Sequence, residues 1–167
     1  MSSIYLEEIL RNFQTLKNQA EQVFNQLSTE ELHWVPNTES NSITILIKHM
    51  SGNMRSRWTN FLSTDGEKPD RFRDQEFIDD LSTRNQILDC WEDGWKCLFQ
   101  ALSHLSEKDL GKTVFIRNKP MAVISALQRQ LMHYASHIGQ MIYIGKMVKN
   151  DAWNTLSIPR GKSEEYK

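Results

Sequence analysis

The sequence has little of several things, and each lack removes a class of protein. Its longest uninterrupted apolar runs, such as Ile45-Leu46-Ile47 and Met121-Ala122-Val123-Ile124, are only a few residues long. The ~20 apolar residues that span a bilayer as a helix are nowhere in sight. The start of the chain, Met1-Ser2-Ser3-Ile4-Tyr5-Leu6-Glu7-Glu8, lacks the basic and apolar regions of a secretory signal, and Ser2 stands where a myristoylation signal needs glycine. No membrane association and a cytoplasmic location are therefore expected. An excess of charge of one sign is missing too: Lys+Arg 20 against Asp+Glu 21 gives a net charge of -1. Nonspecific nucleic-acid binding needs a basic surplus, so DNA and RNA are not expected partners.

Cysteine is scarce, and the two present, Cys90 and Cys97, are seven residues apart in one predicted helix. At 1.5 Å per residue that separates them by ~10 Å, too far for a disulfide, and two buried thiols in a reducing compartment are expected. There is no glycine-rich dinucleotide fingerprint and no nucleophile elbow. Ser157-Ile158-Pro159-Arg160-Gly161-Lys162-Ser163 resembles the end of a phosphate loop, but Leu156 occupies the position of its first glycine and too little chain follows for a helix. Carboxylates are also missing from two long stretches, Ser40 to Thr64 and Leu110 to Asn150. A paired-carboxylate acid/base site is not visible.

What remains is a chain of 167 residues, 39% hydrophobic and 25% charged, enough for one packed core in one domain, residues 1–167 with a tail from about 151. Residues 4–27 place apolar side chains at three- and four-residue steps, from Ile4 and Leu6 through Phe13 to Leu27, the pattern of a long amphipathic helix. Ser28 and Glu31 then have capping-box spacing for a short second helix. A second long helix is predicted from near Ser42, whose hydroxyl can cap it, through Ile43, Leu46, Ile47, Met50, Met54 and Trp58 to Phe61 and Leu62. Residues 64–80, with Asp65-Gly66 and Pro69 among many charges, read as a solvated connection. A third helix runs from near Ser82 to near His104, with Ile87, Trp91, Trp95, Leu98 and Leu102 on one stripe.

Leu105-Ser106-Glu107-Lys108-Asp109-Leu110 then repeats the shape of Leu27-Ser28-Thr29-Glu30-Glu31-Leu32, again between two long helices. The chain therefore reads as two helix, short helix, helix halves. The second half carries an extra piece at 113–123, a predicted hairpin. The last long helix starts within 122–125 and runs to about Lys149. This is the pattern of an all-α four-helix bundle with a small hairpin before its last long helix. Such bundles build metal and ligand sites from side chains on facing helices.

On the last helix His133 and His137 are four apart, so both imidazoles leave one face about a turn from each other, as two ligands of one ion do. His49 lies 17 residues after Leu32 and His133 lies 23 after Leu110, and the excess matches the extra hairpin in size. The three histidines are thus expected at one level of the bundle. His33 and His104 fall at helix ends, in solvent or capping roles. Asn53, Arg57, Arg129 and Gln140 share the histidine region by helical spacing and are candidate substrate contacts, Arg57 for an anionic group. Tyr134 is expected to pack in the core, as are Trp91, Trp95, Met50, Met54, Met132 and Met141.

His49 with His133-x-x-x-His137 resembles the three-histidine pattern of the DinB-like superfamily of metal-binding four-helix bundles. The stretch from Arg129 to Lys146, followed by Trp153 and by Leu156 to Ser163, is similar to a bacterial branch of that superfamily without an assigned function. The resemblance implies a divalent metal, zinc or nickel, on His49, His133 and His137, and frequent homodimers. It also implies relatives that are thiol-dependent transferases and isomerases or metal-dependent hydrolases. Three neutral imidazoles leave the ion's charge uncompensated and a coordination position open, which suits activation of a thiol or of water. With no acid/base partner visible, thiol transfer to a small electrophilic substrate ranks first, hydrolysis second, and a non-enzymatic metal-binding interaction or stress-response module close behind. Five tryptophans and an apolar tail segment suggest the homodimer independently.

Overall fold

The computed structural model describes residues 4–167; Ser2 and its neighbours lie outside them. The fold is all-α apart from one hairpin. Four long helices, α1 (Ile4–Phe24), α3 (Ile43–Trp58), α4 (Arg84–Ser103) and α5 (Val123–Lys149), surround a shared core, with the one-turn α2 (Thr29–Leu32) between α1 and α3. Helix α3 packs against α4 and α5, and α1 packs against α5 and α4. The central helix is α3, buried on nearly every face. No described helix is long and apolar enough to cross a membrane.

Local chemistry sets most of the boundaries. Ser28 accepts from the Glu31 amide while Glu31 accepts from the Ser28 amide, at 3.2 and 2.7 Å, and this reciprocal cap starts α2. Ser42 Oγ accepts from the Ile45 amide at 3.2 Å and starts α3. Side-chain caps of this kind contribute about 1 kcal/mol each. Helix α4 starts at Arg84, close to the expected Ser82, and Thr83 and Gln86 form its capping box. Helix α3 ends at Trp58 rather than at Leu62: Thr59 is extended and Asn60 turns left-handed at φ 50°, a conformation asparagine adopts more readily than most residues. Phe61 still buries after this turn, while Leu62 points outward. The second-half repeat is a 3-10 turn, Glu107–Asp109, in which the Ser106 amide and hydroxyl both donate to Asp109 Oδ2.

The hairpin pairs β1 (Thr113–Ile116) with β2 (Lys119–Ala122). Its two-residue turn, Arg117-Asn118, has both residues left-handed, at φ 54° and 59°, the twist that suits a tight hairpin. Asp65 holds this turn by accepting from the Arg117 and Asn118 amides at 2.9 and 2.7 Å, and the Gly66 amide donates to Phe115 O at 2.8 Å. The hairpin is thereby fastened to the connection between α3 and α4.

That connection corrects the expectation of a solvated linker. It forms a 3-10 turn, Arg73–Phe77, packed on α3, and it buries Glu76. Charged side chains bury only when paired, and Glu76 is paired twice, as described below. Met132 is a further correction: it is 67% exposed, on the outer face of α5. Met50, Met54, Met141, Trp91, Trp95 and Tyr134 are in the core. Cys90 and Cys97 are half-buried free thiols.

Four of the five tryptophans behind the dimer expectation are taken up within the chain, while Trp34 and the tail residue Ile158 are exposed. Trp58, Trp91 and Trp95 are fully buried within the chain. Trp153 folds back on its own bundle, close enough that a Cβ on Gly145 would lie 2.8 Å from its ring. The tail is tied down further by Gln26, which exchanges hydrogen bonds with the backbone of Asn154, and the end of α5 by Lys149 on Glu31.

Candidate metal centre

Helix α3 delivers His49 and helix α5 delivers His133 and His137 to one place. The ring centroids are 5.5 Å apart for His49 and His133, 5.0 Å for His49 and His137, and 4.6 Å for His133 and His137. One ligand nitrogen from each ring lies within 4.8 Å of the others. Nitrogens about 2.1 Å from a common tetrahedral ion sit about 3.4 Å apart, so small ring movements close the difference. The group could hold a metal ion.

The hydrogen bonds on the outer ring nitrogens fit that role. His49 Nδ1 lies 2.9 Å from Glu76 Oε2. A carboxylate oxygen only accepts, so the histidine donates through Nδ1, and in the neutral ring a metal needs it is Nε2 that carries the lone pair. His137 Nδ1 lies 2.9 Å from Gln140 Oε1 and donates for the same reason. His133 Nε2 and His137 Nε2 meet at 3.0 Å. Metal-binding histidines are oriented in this way, one nitrogen donating outward and the other facing the ion. Burial, then the neighbouring His137, His49, Arg57 and Arg71, push His133 down to about 3, and burial also lowers His137. Both are neutral at neutral pH, the state a metal requires.

Glu76, behind His49, is the first of several residues that no sequence pattern marks. Its carboxylate accepts from His49 and from Arg71, with Arg71 Nε at 2.7 Å and Nη2 at 2.8 Å. Burial works against its charge, but these hydrogen bonds and the Arg71 charge win and hold it below the ordinary glutamate range. Gly52, one turn beyond His49, makes room: a Cβ there would collide with the Glu76 carboxylate. Glu76 lies in the stretch where dense charges and no helical period suggested solvent, and only the paired arginine five residues earlier hinted otherwise.

Beside the histidines is a cavity of about 270 Å³, open to solvent and reached by His49 and His133. Of the four expected substrate contacts, Asn53, Arg57 and Arg129 line it, whereas Gln140 does not and is occupied with His137. Asn53 Oδ1 accepts from Tyr134 at 3.0 Å, and Tyr134 accepts from Trp58 Nε1 at 3.1 Å. A ligand would therefore meet the NH2 end of Asn53. Arg57 donates to Gly66 O and to Glu67 Oε2. The cavity also takes in Arg71, Arg73, Arg117 and Gln130, none of which sequence spacing singled out. Arg117 comes from the hairpin turn and Arg73 from the connection, so their convergence depends on tertiary structure. No carboxylate lines the cavity. His33 and His104 lie apart, as the C-caps of α2 and α4, with His33 on Asp79 at 2.8 Å.

Residues 1–162 match one protein family, described as "Protein of unknown function (DUF1572)". The chain belongs to this family. No curated protein matches it. In this member of the family the histidines and the cavity arginines all fall within the matched residues.

Proposed function

We propose that this protein is a metal-dependent enzyme that joins a low-molecular-weight thiol to a small electrophilic substrate at the three-histidine centre. The observation that carries the reading is the convergence of His49, His133 and His137, two of which, His49 and His133, line a cavity with no carboxylate among its lining residues. The DinB-like resemblance, with one histidine from the first half of a four-helix bundle and two from the second, supports it. His49, His133 and His137 would hold one divalent ion, zinc or nickel. Such an ion, when bound, supplies Lewis acidity that lowers the pKa of a thiol or water in its open position.

The chain's own residues do the rest. Glu76 and Gln140 fix the Nδ1 protons of His49 and His137, so that both rings present lone pairs inward. The chain Trp58 to Tyr134 to Asn53 fixes the carboxamide that faces the cavity. Arg57 and Arg129 are placed to orient the electrophile. In the reaction the thiol sulfur forms a bond to carbon as the bond from that carbon to its leaving group breaks, and the thiol proton passes to the leaving group or to solvent.

Thiol transfer ranks above hydrolysis because the one buried carboxylate nearby, Glu76, is committed to His49 and Arg71 on the far side of the imidazole. Attack by water gains most from a free general base, and a thiolate needs none. The same reading carries a cytoplasmic enzyme in one domain and a homodimer. For the dimer, the exposed Met132, Tyr143 and Met147 on α5 offer an apolar surface, and light scattering reads its mass.

The deciding experiment is turnover of a generic electrophile by metal-loaded protein with and without low-molecular-weight thiols, alongside His49→Ala. Turnover that requires the thiol and is lost in the variant is expected. Turnover without thiol indicates a hydrolase. Equal rates in wild type and variant across the panel indicate a metal-binding module without catalysis.

A further inference from the structure

Five guanidinium groups, Arg57, Arg71, Arg73, Arg117 and Arg129, line one cavity of about 270 Å³ in a protein whose net charge is -1. Two carboxylates answer them from behind the wall. Glu67 pairs with Arg57, Arg71 and Arg117, and Glu76 pairs with Arg71. Arg73 lies over the Phe77 ring at 4.9 Å, and neither it nor Arg129 has a carboxylate partner among the described residues. Like charges gathered in a cleft repel one another and focus a field that attracts anions.

The buried polar atoms also point to a ligand. Arg57 is 5% exposed and its Nε has no hydrogen-bond partner; Gln130 is 3% exposed and its Oε1 has none. Native proteins leave few such atoms unsatisfied, and those that remain call for an explanation. Both residues line this cavity. An anion there would accept from Arg57 Nε, whereas the Gln130 oxygen, an acceptor, calls for a donor on the ligand.

We infer that this cavity is an anion site, and that the substrate of the histidine centre is a small molecule carrying a phosphate or carboxylate group bound by Arg57, Arg73 and Arg129. The inference rests on the enzyme reading above and adds the charge class of its substrate. Guanidinium forks match both anionic groups bidentately, which lysine does not. The volume falls just below the ~300–1,000 Å³ usual for ligand pockets, so the ligand is small.

The test separates this site from the metal. Full-length protein treated with a chelator is titrated calorimetrically with inorganic phosphate and, separately, with succinate. Binding of at least one probe is expected, weakened about tenfold or more in Arg129→Ala and in Arg73→Ala, as loss of a charged hydrogen-bond partner predicts. Both residues are exposed, so these variants keep the fold. Arg129→Lys should recover part of the affinity, and Arg11→Ala, on the exposed face of α1, should bind as the wild type does. Preference for one probe identifies the anionic group. No binding of either probe at millimolar concentration, or equal binding in all four variants, overturns the inference. Zinc uptake is measured on the same preparations. Protein that takes up zinc but binds neither anion overturns the anion site and leaves the metal reading standing. Protein that binds an anion but no zinc does the reverse.

Discussion

His49 faces His133 and His137 across the same small space, yet the two halves of the molecule hold these histidines by different means. His49 sits on the most buried helix and donates to a carboxylate that is itself buried and clamped by Arg71. The α5 pair is half-buried, and its one outer partner, Gln140, is an exposed side chain on the next turn of the same helix. The first half thus supplies a histidine fixed by tertiary structure, and the second a pair fixed by helical spacing alone. Substitutions behind His49 should therefore cost far more than substitutions behind His137.

The largest effect is expected for Glu76→Ala. It leaves Arg71 and the His49 N–H without their buried acceptor, a loss of about 3–5 kcal/mol in urea unfolding. A loss below about 1 kcal/mol would show that Glu67 alone satisfies Arg71 and that His49 needs no anchor. Glu76→Gln keeps the shape and one acceptor, and should lower metal affinity about 10–100-fold. Gly52→Ala should approach the same phenotype from the other side, because the new methyl group displaces the carboxylate from His49. Overpacking of this kind costs about 1–3 kcal/mol. Wild-type metal affinity in Gly52→Ala would mean that the carboxylate's position does not matter.

The α5 pair should set the pH response. In chelator-treated protein His133 titrates at about 3 in the folded state, against an ordinary value of 6.5. Between those values the unfolded chain binds a proton that the folded one does not, so stability must fall as the pH drops from 6.5 towards 3 and be unaffected by this group above 6.5. His133→Phe should flatten that slope in pH-dependent unfolding, and an identical slope would place the loss elsewhere. The smallest effect belongs to Gln140→Ala, whose metal affinity should fall less than tenfold, with stability within about 0.5 kcal/mol of wild type. An effect as large as that of Glu76→Gln would erase the difference between the halves.

The same contrast explains what could be read in the sequence. His133 and His137 were legible because helical spacing fixes their relation, and His49 because the repeated Leu-Ser-x-x-acid-Leu segments set its level. The caps at Ser28 and Ser42, the hairpin at 113–122 and the core faces of the long helices follow from local rules too. Glu76, Arg71, Arg73 and Arg117 were not legible. They come from a connection and a hairpin turn whose meeting depends on Asp65 accepting from two amides more than 50 residues away. No period marks such a contact, and a dense run of charges is the pattern that solvent-exposed chain also has. Met132 shows the limit of a stripe, since its place on α5 faces outward although its type suggested core.

The most direct test of the metal centre is the uptake of zinc by full-length protein purified without chelator, measured by elemental analysis and titration for the wild type and for His49→Ala, His133→Ala and His137→Ala. One ion per chain in the wild type, with uptake abolished or reduced at least a hundredfold in each variant, is the predicted result. A wild type that takes up no zinc or nickel after metal is added back, or variants that bind as the wild type does, would contradict it.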